Sequence, residues 1–326
     1  MTLPYFLRLV CLCLASFFLL HTALGLATWQ VAPAAIRLAE KMRARAAARF
    51  VFFLRLLPVM LATILVLGLG VPSYVWLEPR GMHERMGFAC GAAALLGAAL
   101  WSISIGRVMH AALRSGRYAR ECKRIGREIS TESSLVPANL LDVETPLIAL
   151  AGIFRARVLI SRKVMDELTR GELEAALRHE NAHRVARDNL KRFVFLLAPG
   201  IFPVMRGFGG LERAWARFSE WAADDQATGG DSRLSLLLAA ALVRVARMGA
   251  APQPSMAVTP LIAGDLGLPA RVDRLLRGET APPAPLWSRT ALVGTLAVLA
   301  SALIVGAMHW ATVLRAAHEA LERLLS

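Results

Sequence analysis

Charged residues are missing from four long stretches of this chain and crowded into the intervals between them. Between Arg8 and Arg37 there are 28 consecutive uncharged residues; the runs 56–77, 86–106 and 290–314 contribute 22, 21 and 25. About 20 helical residues cross the hydrocarbon core of a bilayer, so the pattern predicts four transmembrane helices. The first run also has the small residues of a signal peptide around 22–27, but the basic segment that follows it favours a retained anchor. Outside these runs the period changes. Residues 32–53 read as one helix with Ala, Leu and Met between basic residues, lying along the inner membrane surface or prolonging the spans. Residues 108–128 read as a basic helix leaving the third span.

The middle of the chain alternates differently. Residues 146–150 and 156–160 read as two short apolar strands joined by a turn at 152–155, with 146–150 as an edge able to pair with an extended peptide. Thr169-Arg170-Gly171-Glu172 is a capping box that opens a helix. The 13 residues 193–205 are apolar but short for a span and broken by Pro199 and Pro203, so they read as core or a membrane-dipping segment. Gly207, Gly209 and Gly210 precede a further helix, Gly229-Gly230-Asp231 ends it, and 232–248 form one more amphipathic helix. A loop at 252–269 and a stiff Pro-rich lead at 282–285 follow.

Composition sharpens this reading. The 326 residues are 56% hydrophobic and carry a net charge of +14, with mean hydropathy +0.49. Much of the positive charge is juxtamembrane: Arg37, Lys41, Arg43, Arg45, Arg49 and Arg55 in one interval, and seven Lys or Arg between Arg107 and Arg127 in another. Basic loops stay in the cytoplasm. The N-terminus is therefore expected outside and 107–289 inside. No recognition helix or aromatic-interleaved basic pattern accompanies the charge, which argues against direct nucleic-acid binding. Three of the four cysteines lie in spans and none has ligand spacing, which leaves neither a disulfide framework nor a cysteine metal site.

The chemistry concentrates in the helix that the capping box opens. It carries His179-Glu180-Asn181-Ala182-His183, the pattern H-E-x-x-H. At 3.6 residues per turn His179 and His183 stack one turn apart and can share one zinc ion. Glu180, roughly 100° round the helix, is the base for the attacking water. A catalytic zinc takes three protein ligands. Glu220, on the next helix, is the best third ligand. Asp224, four residues on and on the same face, is placed to accept the outer N–H of a ligand histidine. Asp225 points away. An arginine, Arg271 or Arg274, is a candidate partner for the transition-state oxyanion. Arg187 and Asp188 read as helix-surface or end-of-helix polar residues.

These elements carry a resemblance. Residues 146–152, Val158-Leu159-Ile160-Ser161, Glu172-Leu173, the H-E-x-x-H, Arg187-Asp188-Asn189-Leu190 and Glu220-x-x-Ala223-Asp224 are similar to the peptidase domain of the BlaR/MecR-type antirepressor metallopeptidases, which are membrane-bound beta-lactam sensors. Three spans before the domain and one after it fit as well. The chain is more distantly similar to the HtpX-type and CAAX-processing membrane gluzincins. Ala156 stands where the sensors often have proline. Only 12 residues follow Leu314, so the extracellular sensor domain of that family is expected to be lacking.

The expected architecture is a mostly α, polytopic membrane protein with four transmembrane helices and a cytoplasmic gluzincin-like zinc peptidase domain containing a small β-hairpin or sheet. Its parts are three spans with a basic cytoplasmic loop (1–106), the metallopeptidase domain (107–287), and a fourth span with a short external tail (288–326). By resemblance the substrate is a cytoplasmic regulator such as a transcriptional repressor, with self-cleavage and a separate sensor or repressor partner. The competing class is a non-catalytic membrane signalling or scaffold subunit that keeps the fold. An intact Glu180 favours the enzyme, because a scaffold needs no base beside the ligands.

Overall fold

The computed structural model of the chain describes residues 4–78, 87–129, 138–154, 156–202, 207–249, 258–260, 267–278 and 310–325. It is mostly helical, with one small mixed sheet. Three helical stretches are long and apolar enough to cross a membrane: Tyr5–Ala39, Ala44–Leu77 and Phe88–Cys122. Their outer surfaces expose Phe6, Ile64, Leu67, Trp76, Phe88 and Leu95. Apolar cover on that scale suits lipid better than water. Most of the fourth predicted span, and the Pro-rich lead before it, lie outside the described residues.

The first helix, α1 (Tyr5–Ala39), runs through Pro33 and ends where Glu40 caps it. The second, α2 (Ala44–Leu65), begins after Arg43. Residues 32–53 are thus two helices joined by a tight turn rather than the single helix expected; the basic residues at 41–45 carry the break. A five-residue π-helix, Val66–Gly70, joins α2 to α3 (Val71–Leu77). Two glycines and a proline at this point weaken the regular ladder.

Next, α4 (Phe88–Ile125) runs without a break from apolar to basic sequence. Gly97 lets α4 lie directly on α1, because a Cβ there would overlap the Leu14 carbonyl oxygen. Close approach at a small residue is the usual device for packing helices in lipid.

Four strands follow in the order β1 (Gly126–Ile129), β2 (Ala138–Leu141), β3 (Ile148–Ala151) and β4 (Arg157–Ser161). With β5 (Val258–Pro260) they form a sheet ordered β1-β2-β4-β3-β5, in which only the β2–β4 pair is parallel. The predicted hairpin is β3–β4. Strand β3, however, is not an edge: β4 pairs on one side and β5 on the other. The 252–269 stretch expected as loop supplies that covering strand, and the edges among the described residues are β1 and β5.

Alternation along the strands sends side chains to two cores. Ile148, Leu150, Val158 and Ile160 pack with residues from the helices that follow, while Ala149, Ala151 and Leu159 pack with Cys122 of α4. Both faces are covered, which is why these strands read as short apolar runs.

The remaining helices are α5 (Arg162–Glu167), α6 (Arg170–Ala186), α7 (Asp188–Leu197), α8 (Gly209–Thr228), α9 (Ser232–Arg247), α10 (Leu268–Arg277) and α11 (Trp310–Leu325). The capping box at Thr169 forms as expected: its amide donates to Glu172 Oε2 at 2.8 Å, and the Glu172 amide donates to Thr169 Oγ1 at 3.3 Å. Such a cap is worth about 1 kcal/mol. Arg244 of α9 pairs with the same Glu172 at 3.2 Å, tying two helices of the sheet-side core.

A third core joins the helices that follow the sheet to the long apolar helices. Ala47, Ala48, Val51 and Leu56 of α2 pack with Phe195, Phe208, Leu211, Trp215 and Phe218. Within it Arg55, expected as a topology-setting surface charge, is buried. Its guanidinium donates to Glu212 Oε1 (3.0 Å) and to the carbonyls of Ala198 (3.3 Å) and Pro199 (3.4 Å), and it lies 4.2 Å from the Phe208 ring centroid. His21 of α1 meets the Gly200 carbonyl oxygen at 2.9 Å. The 193–205 segment is therefore held in this shared core, over the part of it that is described.

Candidate metal centre

Helix α6 carries H-E-x-x-H on the face turned toward α8. His179, Glu180 and His183 are all completely buried, and Glu220 and Asp224 of α8 are 1% exposed. The two imidazole Nε2 atoms face each other at 3.1 Å. Glu220 Oε2 lies 3.5 Å from His179 Nε2, and Glu220 Oε1 lies 3.6 Å from His183 Nε2. One atom from each of these three residues lies within 4.8 Å of the others. The geometry brings together the three ligands chosen from sequence.

The outer nitrogens explain why the inner ones converge. His179 Nδ1 lies 2.9 Å from Asp224 Oδ1, and His183 Nδ1 lies 2.7 Å from Asp188 Oδ2. A carboxylate at each Nδ1 keeps a proton there and turns the Nε2 lone pairs inward. Two lone pairs pointed at one place repel unless a proton or a cation lies between them.

Asp224 has the place expected of it. Of the two readings of Asp188, end-of-helix holds and helix-surface does not: it starts α7 and is buried. Its carboxylate is brought back to His183 because Arg187 adopts φ 56°, the only positive φ at a non-glycine among the described residues. That conformation costs about 1 kcal/mol. It ends α6 and starts α7 at Asp188. Asn189 then anchors the turn, donating to the carbonyls of Leu150 (3.1 Å) and Gly152 (2.9 Å) on the β3 side. Arg187 in a left-handed turn between two helices gives no local signal; an Asp followed by an Asn straight after the motif helix was the available hint.

Arg271 of α10 enters the same cluster. It is 3% exposed and grips Asp224 with two donors, Nη2 at 2.7 Å and Nε at 2.9 Å. Its Nη1 is 3.0 Å from Glu220 Oε2. Of the two arginines singled out as oxyanion partners, Arg271 is in the centre and holds its carboxylates. Arg274 lies outside, pairing with Asp225.

Electrostatics follow from this packing. Burial pushes Glu180 up to about 7, against the pull of His179 and His183. Burial by itself lowers His183, but Glu220 and Asp188 outweigh it and hold the imidazole up at about 10. His179 is likewise raised, burial being outweighed by Asp224 and Glu220. Burial also raises Asp224, yet Arg271 and His179 bring it down to about 2. Glu220 is held well below the usual carboxylate range: burial is overcome by His183 and Arg271. With no cation present, the imidazoles therefore hold protons that a metal must displace.

The donor set fits a dication. Neither oxygen of Glu180 has a hydrogen bond among the described residues, whereas Glu220 is held by the ion pair to Arg271. Buried carboxylate oxygens are normally satisfied; those of Glu180 instead interact through charge with His179, His183 and Glu220. Two neutral imidazoles and one carboxylate make a zinc-type set that leaves a coordination position open.

A buried His-His-Glu centre with a carboxylate beside it is an arrangement that a metal-dependent hydrolase would use. Comparison with known families gives the more particular result. Residues 117–251, from α4 through α9, match peptidase family M48. That match indicates a metallopeptidase, of a metal-dependent family, and takes in every residue of the cluster except Arg271. No curated protein matches the chain.

Proposed function

We propose that this chain is a membrane-anchored zinc endopeptidase whose active site faces the cytoplasm. Its substrate is a cytoplasmic regulatory protein such as a transcriptional repressor, and the chain also cuts itself. The observation that carries the reading is Glu180: a fully buried carboxylate without a hydrogen-bond partner among the described residues, beside two histidines and a glutamate. A structural carboxylate in that position would be a liability of a few kcal/mol, whereas a general base must be kept free for a proton.

His179, His183 and Glu220 would hold the ion. A bound zinc supplies Lewis acidity, which polarises the scissile carbonyl and acidifies a water. Asp224 and Asp188 fix the imidazoles in the tautomer that presents Nε2. Arg271 keeps Glu220 and Asp224 aligned on α8. Glu180 takes the proton as water oxygen attacks the peptide carbonyl carbon. It then returns the proton to the departing amine nitrogen as the C–N bond breaks.

The similarity to BlaR/MecR-type antirepressor peptidases supports the regulator as substrate, and the arginine asymmetry of the loops supports the orientation. The test is a trap. In cells expressing Glu180→Gln, mass spectrometry should find an intact cytoplasmic protein that wild type converts to fragments; identical proteomes would remove the endopeptidase reading. Reporters placed within 130–145 should read cytoplasmic, and those after Ser326 external; the reverse would exclude cytoplasmic substrates.

A further inference from the structure

A second polar site lies on the other side of Asp188 from the metal centre. A cavity of about 170 Å³ opens between the start of α2 and the wall formed by α6, α7 and α8. Three cations line it, Arg45 and Arg49 of α2 and Lys191 of α7, against one carboxylate, Asp188; Ser219 and Gln226 add polar groups. Lys191 and Asp188 already pair, Nζ to Oδ1 at 2.8 Å. That leaves two guanidinium groups one helical turn apart, without an acidic partner among the described residues. Like charges at i, i+4 repel and destabilise a helix. An anion between them would offset that repulsion.

Their position along α2 narrows the choice. Arg49 lies seven residues before the uncharged run that starts at Leu56, roughly 10 Å along a helix. With that run in the hydrocarbon core, a long arginine side chain reaches the level of the lipid phosphates. Guanidinium groups also match phosphate oxygens with paired donors.

We propose that this cavity binds the phosphate group of an anionic lipid, clamped between Arg45, Arg49 and Lys191. The site lies against the metal centre. An occupying phosphate draws Lys191 away from Asp188, whose other oxygen contacts His183 Nδ1 at 2.7 Å. Lipid binding itself does not depend on the peptidase reading; only its consequence for the metal centre does.

The test uses the full chain in neutral detergent, read by native mass spectrometry and thermal unfolding, with three additives: phosphatidylglycerol, phosphatidylcholine and inorganic phosphate. Phosphatidylglycerol should be retained and raise the midpoint, while phosphatidylcholine does neither. In the Arg45→Gln/Arg49→Gln double variant, apparent affinity for phosphatidylglycerol should fall about thirty-fold, each arginine being worth about a factor of five at a lipid surface. The double lysine variant should keep most of the effect. Both arginines are exposed, so the variants should fold, which unchanged metal content checks. Equal retention by wild type and the glutamine variant, or equal response to phosphatidylcholine, would overturn the site. A midpoint shift from inorganic phosphate as large as that from the lipid would overturn the lipid as its source.

Discussion

Two clusters of buried charge, one at the junction with the spans and one between α6 and α8, are built on opposite principles. At the junction, the Arg55 guanidinium is taken up by Glu212 and two backbone carbonyls and covered by Phe208. At the centre, Glu220 is ion-paired with Arg271 at 3.0 Å, but both carboxylate oxygens of Glu180 stay without hydrogen bonds among the described residues. The first arrangement is what a fold does with a charge it must bury: it brings a carboxylate, backbone carbonyls and an aromatic face to it. The second leaves one buried carboxylate without a donor beside a His-His-Glu cluster.

The comparison can be broken most directly at the ligands. His183→Ala should reduce zinc from near one per chain to a small residue by elemental analysis of purified protein; unchanged metal would mean that the ion, if any, sits elsewhere. The next effect belongs to Asp188. Asp188→Asn keeps the shape but loses the charge on His183, and zinc affinity by chelator competition should fall about 10- to 100-fold. If affinity stays at the wild-type level, Asp188 only ends a helix.

The junction should respond in stability rather than in metal. Arg55→Met should cost about 1–3 kcal/mol, discounted because Glu212 is partly exposed, and should lower the thermal midpoint while zinc per chain is unchanged. Loss of zinc in this variant would show that the two clusters are not independent.

The smallest effect is a pH trend in the metal-free protein. Glu180 is raised by burial to about 7, so the folded state binds its proton more tightly than the unfolded chain does. Its stabilising contribution is complete below the ordinary glutamate value and is lost as pH rises through about 7. Glu180→Gln does not titrate. The midpoint of Glu180→Gln minus that of wild type should therefore increase between pH 5 and pH 8 in chelator-treated samples. His183 loses its own contribution between its ordinary value and about 10, but it does so in both proteins and cancels in the difference. A flat difference would mean that Glu180 is better satisfied than its surroundings indicate.

What could be read ahead of the structure was local. Helical spacing alone put His179, His183, Glu180, Glu220 and Asp224 on two faces, and the capping box set the start of α6. Uncharged runs located three helices long enough to span. The rest depends on distant segments meeting. Arg271 is 47 positions from the Asp224 it grips, so sequence offered it only as one of two arginines. Asp188 depends on a left-handed turn at Arg187, which residue preference opposes. Strand β5 reaches β3 from more than a hundred residues away, turning an expected edge into an interior strand. Arg55 looked like a surface charge because its partners come from the α7–α8 connection and from α8.

The central claim is that Glu180 is held buried and unsatisfied because it moves a proton and does not hold the metal. Zinc content and cleavage, measured together on purified wild type and Glu180→Gln, test it most directly, with cleavage followed on the chain itself or on the protein trapped in cells. The account predicts one zinc per chain in both and a cleavage rate lower by about 10²–10⁴ in the variant. Full cleavage by Glu180→Gln, or loss of its zinc, would contradict it.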